Sequence, residues 1–479
     1  MRRTKVVCTI GPASDDMDVL RRMVAAGLNV ARLNFSHGSH AEHNERIARI
    51  RRVADESGLH IPIMLDTKGP ELRIGRFASG SVRLEQGQRF VLTTRPVAGS
   101  ASEVHVNSPG FPGFVHPGSR LQLDDGRIEL TVVAVSGPDV ECTVVVGGIL
   151  GDRKRIAIPG GKLALPTLSD EDKKDLLFGI EQGVDMVAAS FIRSAADMHA
   201  IKSFLEDNGA SIPVIAKIES REGIENLDSI LRLADGIMVA RGDLGVEMPA
   251  EDVPIIQKQI IHKCLRAGKP VITATQMLDS MMRSPHPTRA EVSDVANAVF
   301  DGTDAVMLSG ETASGLYPVE SVATMARVAL RAEMAQQYEP PASLKAASGG
   351  EPVTDAIGHA TVQIAAQLKA SAIITVTKSG RTARMIARHR PRTRIIAVAS
   401  DVSTARALNL VWGVTPVVGE NIENAEEVTG VAVAVAQRAG LIGPNDTVVI
   451  TAGVPVGVVG STNLIKVHDL KSHSLGEQR

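Results

Sequence analysis

Short, β-branched apolar runs recur along this chain, each followed by a polar cluster and then by a segment of helical period. That alternation builds a parallel sheet through βαβ crossovers, because a buried parallel strand is apolar on both faces and its crossover helix on one. The runs are Lys5–Ile10, Asn29–Phe35, Ile61–Leu65, Met186–Ala189, Val214–Ile218, Gly236–Ala240, Pro270–Ala274 and Ala305–Leu308. Eight such units predict an α/β protein built on a (β/α)8 barrel. The intervals carry helix signals: Ser14-Asp15-Asp16 ahead of Met17–Ala26 with Gly27 as stop, Ser169-Asp170-Glu171 opening a helix to Gly183, and Glu251–Ala267 ending at Gly268.

One interval breaks the rhythm. Between the third and fourth runs no long helical period occurs, and Leu121–Leu130 alternates apolar and polar residues around Asp125-Gly126, a hairpin signal. Val104–Val106 and Cys142–Val146 add strands. This reads as an inserted β domain, barrel-like and used as a lid over residues 70–166, hinged near Pro70 and Pro166, because barrel chemistry sits on the loops after strand C-termini. The barrel then comprises residues 1–69 and 167–340. A stretch rich in Pro, Ser, Ala and Gly from Tyr338 to Gly350 predicts a linker at 341–350. Residues 351–479 form a smaller α/β domain, with runs at Ala372–Val376, Ile395–Ala399, Val414–Val418, Thr447–Thr451 and Leu464–Val467 and a helix at Ala383–His389.

Composition narrows the function. A formal charge of −2 provides no broad basic field for nucleic acid or anionic lipid, and 3% aromatic content starves any base-stacking platform. Cys8, Cys142 and Cys264 lie far apart with no CxxC pair, which argues against a disulfide framework or a cysteine-rich zinc site and fits a reducing compartment. After Met1-Arg2-Arg3 the apolar run is broken by Thr9 and Gly11-Pro12, too short for a secretory segment, and no run reaches the about 18 apolar residues of a membrane span. The expectation is a cytoplasmic protein.

In a barrel, polar residues ending separate strands converge at one mouth. Here they are Arg32, Asn34 and Ser36; Asp66 and Thr67; Ser190; Lys217 and Glu219; Arg241 and Asp243; Thr275; Ser309 and Glu311. This set describes a metal-dependent site for an anionic substrate. Hard carboxylates at Glu219 and Asp243 without nearby His or Cys favour Mg²⁺ or Mn²⁺, with pairing to rim arginines as the bland alternative. Lys217, two residues before Glu219, projects to the same side of its strand and can meet developing negative charge; a Schiff base and a buried salt bridge are the competing roles. Asn34, Ser36, Asp66 and Thr67 offer oxygens to a monovalent cation or simply bond one another. Lys154 belongs to a basic run that either closes over phosphates or is a solvated turn. Thr377, Lys378, Ser379, Gly380, Arg381 and Thr382 sit between a strand and a helix, where backbone N–H groups, hydroxyls and cations suit phosphate; a capped surface turn is the alternative.

Five segments carry a resemblance to the pyruvate kinase family. Val214-Ile-Ala-Lys-Ile-Glu-Ser-Arg-Glu-Gly-Ile224 is similar to that family's signature around its catalytic lysine. Ala31–His37, Leu65–Glu71, Met238–Glu247 and Thr273–Leu278 agree in order. The resemblance implies a barrel, a β lid and an allosteric α/β domain that together transfer the phosphoryl group of phosphoenolpyruvate to ADP, giving pyruvate and ATP. It implies Glu219 and Asp243 as divalent-metal ligands and Lys217 as the stabiliser of phosphoryl group and enolate. Arg32 and Arg73 contact phosphates, Asn34, Arg73 and Lys154 serve the nucleotide, and Gly242, Asp243 and Thr275 serve the substrate. Asn34, Ser36, Asp66 and Thr67 become K⁺ ligands, and Ser309 lies on the route of the enolate proton. Glu71 stands where K⁺-independent members tend to carry Lys, which implies K⁺ dependence. The loop Gly453–Ser461 lacks the Trp and Arg of the animal fructose-1,6-bisphosphate loop, so the implied effector at Thr377–Thr382 is a sugar monophosphate or AMP. A homotetramer is also implied. Two rivals stand beside this reading: a Mg²⁺-dependent barrel aldolase for pyruvate-like acids, and a non-catalytic phosphometabolite sensor.

Overall fold

The computed structural model describes residues 1–161, 165–335, 352–419, 426–455 and 462–472. The linker expected at 341–350 and most of the loop Gly453–Ser461 lie outside the described residues. Eight parallel strands close a barrel in sequential order: β1 Lys5–Thr9, β2 Val30–Asn34, β3 Ile63–Asp66, β4 Met186–Ala189, β5 Val214–Ile218, β6 Gly236–Ala240, β7 Val271–Ala274 and β8 Ala305–Leu308, with β8 pairing back to β1.

Strand residues split by parity, since alternate side chains point to opposite faces. Val7, Val30, Met64, Ala188, Ile215 and Met307 form one cluster inside the barrel. Val6, Cys8, Leu33, Leu65, Ala216, Ile218 and Leu308 belong to another, packed on the surrounding helices. Two positions beyond the inner residues come Thr9, Arg32, Asp66, Ser190, Lys217 and Ser309. The register that fills the barrel thus aims these polar groups into its mouth.

The helices start and stop where their caps dictate. Asp16 accepts from the N–H groups of Asp18 and Val19 ahead of Met17–Ala26, and Gly27 closes it. Ser169 and Asp172 cap each other ahead of Asp170–Glu181, which ends just short of the expected Gly183. The helix expected from Glu251 begins at Val253, where Pro254 suits a first turn, and ends at Gly268.

The insertion is a seven-stranded sheet with a separate two-stranded ladder. Its hairpin joins Arg120–Leu123 to Ile128–Ser136 around Asp125-Gly126. An isolated bridge between Ile74 and Val106 ties the sheet's two ends together, and two register shifts bend its longest pairing, which makes it barrel-like. It has its own core around Phe90 and Phe111.

The C-terminal unit is a five-stranded sheet of β9 Ala372–Thr377, β10 Arg394–Ala399, β11 Val414–Val418, β12 Thr447–Gly453 and β13 Thr462–Asp469, in the order β11-β10-β9-β12-β13 with β13 antiparallel. It docks on the N-terminal end of the barrel, opposite the mouth. Leu410 joins the barrel's inner cluster, buried Lys5 donates to the Val414 carbonyl at 2.7 Å, and Arg390 pairs with Asp304 at 3.1 Å. Among the described residues no helix is long and apolar enough to cross a membrane.

Candidate active site

Lys217 is buried as the penultimate residue of β5, and its Nζ donates to Ser190 Oγ at 2.6 Å and Asp66 Oδ1 at 3.0 Å, with Glu219 Oε1 also at 3.0 Å. Burial alone would lower this ammonium, but Asp66 and Glu219 outweigh it and raise it above the ordinary lysine value. An amine held protonated is no nucleophile, so the cluster disfavours Schiff-base chemistry and suits a fixed cation facing negative charge.

Asp66 also takes Arg32, whose Nε donates to Oδ2 at 2.7 Å while an Nη1–H bonds Thr9 Oγ1 at 2.8 Å. Burial works against the Asp66 carboxylate, yet Arg32 and Lys217 hold it below the usual range. Ser190 closes the set by donating to the Thr67 carbonyl at 2.6 Å, while its N–H donates to Thr67 Oγ1 at 3.1 Å. Asn34 Oδ1 accepts from the Ser36 N–H at 3.2 Å. Burial pushes Glu219 up to about 7, helped by Asp243 and opposed by Lys217, and its Oε2 accepts the Phe191 N–H at 2.6 Å.

Strain gathers at the same mouth. Phe191, Thr275 and Gln276 all have positive φ, at 55°, 69° and 55°. A bulky or β-branched residue seldom adopts that conformation unless its surroundings enforce it. At Thr275 and Gln276 Arg241 is the enforcer: it bonds the Ala274 and Thr275 carbonyls and pairs with Asp294 at 2.7 Å. Thr275 Oγ1 accepts from the Gly242 N–H at 2.7 Å. Arg241 and Glu311, both in the sequence inventory of the mouth, are thus taken by the backbone; Glu311 accepts the N–H groups of Leu278 and Ser309. Ser309 itself follows directly on β8, half-buried.

The lid contributes unevenly. Arg73 pairs with Glu71, its Nε at 2.7 Å, and bonds the Arg153 carbonyl at 2.9 Å. Lys154 points to Asp124 in the lid's hairpin turn, at 2.7 Å. The cation that reaches the barrel is Arg155, which pairs with Asp243 and lies over the Phe191 ring at 4.6 Å. Sequence reasoning passed over it because it stands in a basic run that reads as a turn; its signal was strand parity against Lys154. Between lid and barrel lies a cavity of about 150 Å³ lined by Glu71, Arg155, Phe191, Ser220 and Glu247 among others.

Among the described residues no group of three or more His, Cys, Asp or Glu converges as a metal site. Two carboxylates, Glu219 and Asp243, beside an anion-facing lysine fit a hard cation that completes its shell with water and substrate oxygens. Far from the mouth, Thr377 ends β9 and Gly380, at φ 76°, leads into the helix Arg381–Ala387. There Thr382 Oγ1 is 2.8 Å from Thr462 Oγ1, the Ser379 carbonyl accepts from Arg384, and the Lys378 carbonyl accepts from Thr404.

The chain matches the family model described as pyruvate kinase, barrel domain, over residues 1–322, and that described as pyruvate kinase, alpha/beta domain, over 355–468. It is 52% identical over 470 residues to a pyruvate kinase of Geobacillus stearothermophilus, covering 98% of this chain and 80% of that protein. The pyruvate kinases of Sporosarcina psychrophila and Staphylococcus aureus (strain MRSA252) are 49% and 47% identical over the same shares of each chain. These matches set aside the aldolase and sensor readings. A closed barrel whose mouth gathers a protonated lysine, two arginines and three carboxylates, together with matches across both domains, establishes that this chain is a phosphotransferase belonging to the pyruvate kinase family.

Proposed function

We propose that this chain transfers the phosphoryl group of phosphoenolpyruvate to ADP, with the mouth cluster as its active site. The observation that carries the reading is Lys217, held charged between Asp66 and Glu219 at the end of β5. Phosphoryl transfer asks little covalent work of a protein, so positioned charge supplies most of the acceleration. Lys217 faces the transferring phosphoryl oxygens and the enolate oxygen left behind. Arg32, oriented by Asp66 and Thr9, binds phosphate. Thr275 Oγ1 and the Gly242 N–H receive the substrate carboxylate, exchanging their mutual hydrogen bond for bonds to the ligand.

Glu219 and Asp243 would hold Mg²⁺ or Mn²⁺, which when bound neutralises the phosphoryl oxygens. Asn34, Ser36, Asp66 and Thr67 would hold K⁺. Arg73, Lys154 and Asn34 serve the nucleotide, Lys154 by leaving Asp124 for phosphate. Ser309 stands on the path of the proton delivered to the enolate carbon. Lid closure excludes the water that would otherwise take the phosphoryl group. The segment Thr377–Thr382 receives a phosphorylated effector, a sugar monophosphate or AMP, and the working assembly is a homotetramer.

The test is pyruvate formation from phosphoenolpyruvate and ADP with Mg²⁺, with and without K⁺, then across a panel of phosphorylated metabolites. K⁺-dependent turnover is expected, with an effector response that Arg381→Ala weakens. Undiminished turnover with only a bulky organic cation removes the K⁺ assignment, and no turnover from folded protein removes the whole reading.

A further inference from the structure

Arg155 is on the lid strand Arg155–Ala157, where it is the antiparallel partner of Arg73. Directly paired residues put their side chains on one face of the sheet, and the next residue along either strand faces away. Lys154 accordingly turns to Asp124, while Arg73 and Arg155 share the face that meets the barrel. Arg73 stops at Glu71. Arg155 crosses to Asp243, stacked on Phe191, with only 12% of its side chain exposed. Glu71, Glu219 and Glu247 are its other charged neighbours.

A buried guanidinium is retained only where carboxylates compensate it, and here it supplies the positive charge that this acidic cluster needs. Asp243 is also one of the two carboxylates assigned above to the divalent metal. Arg155 donates to Oδ1 of Asp243, an oxygen that a hard cation would also draw on, and the two positive charges repel, so guanidinium and metal cannot share Asp243 on equal terms. Phe191 extends the connection, because its ring carries Arg155 while its N–H donates to Glu219.

We propose that Arg155 is a built-in competitor for the divalent cation at Asp243, so that metal entry displaces its guanidinium and the docked guanidinium weakens metal binding. The two equilibria are linked and reciprocal: whatever factor the docked guanidinium takes from metal affinity, bound metal takes from docking. The inference rests on the metal assignment of Glu219 and Asp243, and the experiment separates the two.

Mn²⁺ alone, without substrate or nucleotide, is titrated into the full chain and followed by the electron paramagnetic resonance signal of free Mn²⁺, for the parent protein, Arg155→Gln, Arg155→Lys and Glu219→Gln. Arg155→Gln is expected to bind Mn²⁺ about tenfold more tightly, and Arg155→Lys to fall between it and the parent. A gain in affinity cannot come from a misfolded variant. If Glu219→Gln weakens binding while Arg155→Gln leaves it unchanged or weaker, the competitor role is overturned and the metal site stands. If Glu219→Gln leaves Mn²⁺ affinity unaltered, the metal assignment falls and the competitor role falls with it.

Discussion

Lys217 is worth most where charge moves. Removing it as Lys217→Met leaves Arg32 and Asp66 paired but takes away the cation that faces the phosphoryl and enolate oxygens. By comparison with loss of a single preorganised charge stabiliser, the barrier should rise by about 3 kcal/mol, read as a fall in kcat larger than any rise in KM. A retained kcat would remove Lys217 from the chemistry. That this lysine faces inward was legible from its two-residue offset to Glu219 and the apolar residues around it. That its partners are Asp66 and Ser190 was not, because those residues are 151 and 27 positions away and meet only when their three strands pair side by side.

Between strands, a single helix cap organises the loop after β3. Asp172, in the reciprocal cap with Ser169, also accepts the Gly69 N–H at 2.9 Å. Gly69 has φ 74°, and a Cβ there would lie 2.8 Å from Ser190 Cβ and 2.9 Å from the Phe191 ring. Gly69→Ala should therefore cost at least about 1 kcal/mol from the left-handed backbone alone. The displaced Phe191 should also loosen its N–H bond to Glu219 and weaken Mn²⁺ binding. A thermal melt and a Mn²⁺ titration check both, and an unchanged Tm with unchanged affinity would contradict the packing account. The cap residues were visible in the chain, since Ser169 and Asp172 act on their own helix; their grip on Gly69 was not.

At the scale of the molecule, the mouth and the C-terminal sheet lie at opposite ends of the barrel. The junction at the far end gathers Leu410, Trp412 over Arg3 and Arg390, and the buried Arg390–Asp304 pair. Beside it His389 is buried, and burial together with Arg388 and His359 pushes its imidazole down to about 3 from 6.5. The folded chain keeps His389 neutral where the unfolded chain takes a proton, so the unfolded state binds more protons across that window. The contribution of His389 to stability is complete above pH 6.5 and is lost as pH falls toward 3. His389→Gln, which cannot take that proton, should flatten this part of the stability curve. Tm measured against pH, with the single Trp412 as fluorescent reporter, would show it; parallel curves would exclude His389 as a source of acid sensitivity.

The chain alone determined the eight barrel strands, the all-β character of the insertion, the helix caps and the polar groups that end each strand. These depend on period, on capping side chains and on turn residues, all of which act within a few positions. Tertiary structure decided the rest: that Arg241 and Glu311 serve the backbone, that Lys154 lies against Asp124, and that the C-terminal sheet seats Leu410 in the barrel floor. It also decided that Arg155 crosses from the lid to Asp243. Each of these joins residues far apart in sequence, and a long-range pair exists only once folding of the lid, closure of the barrel or docking of one unit on another has brought its two elements together.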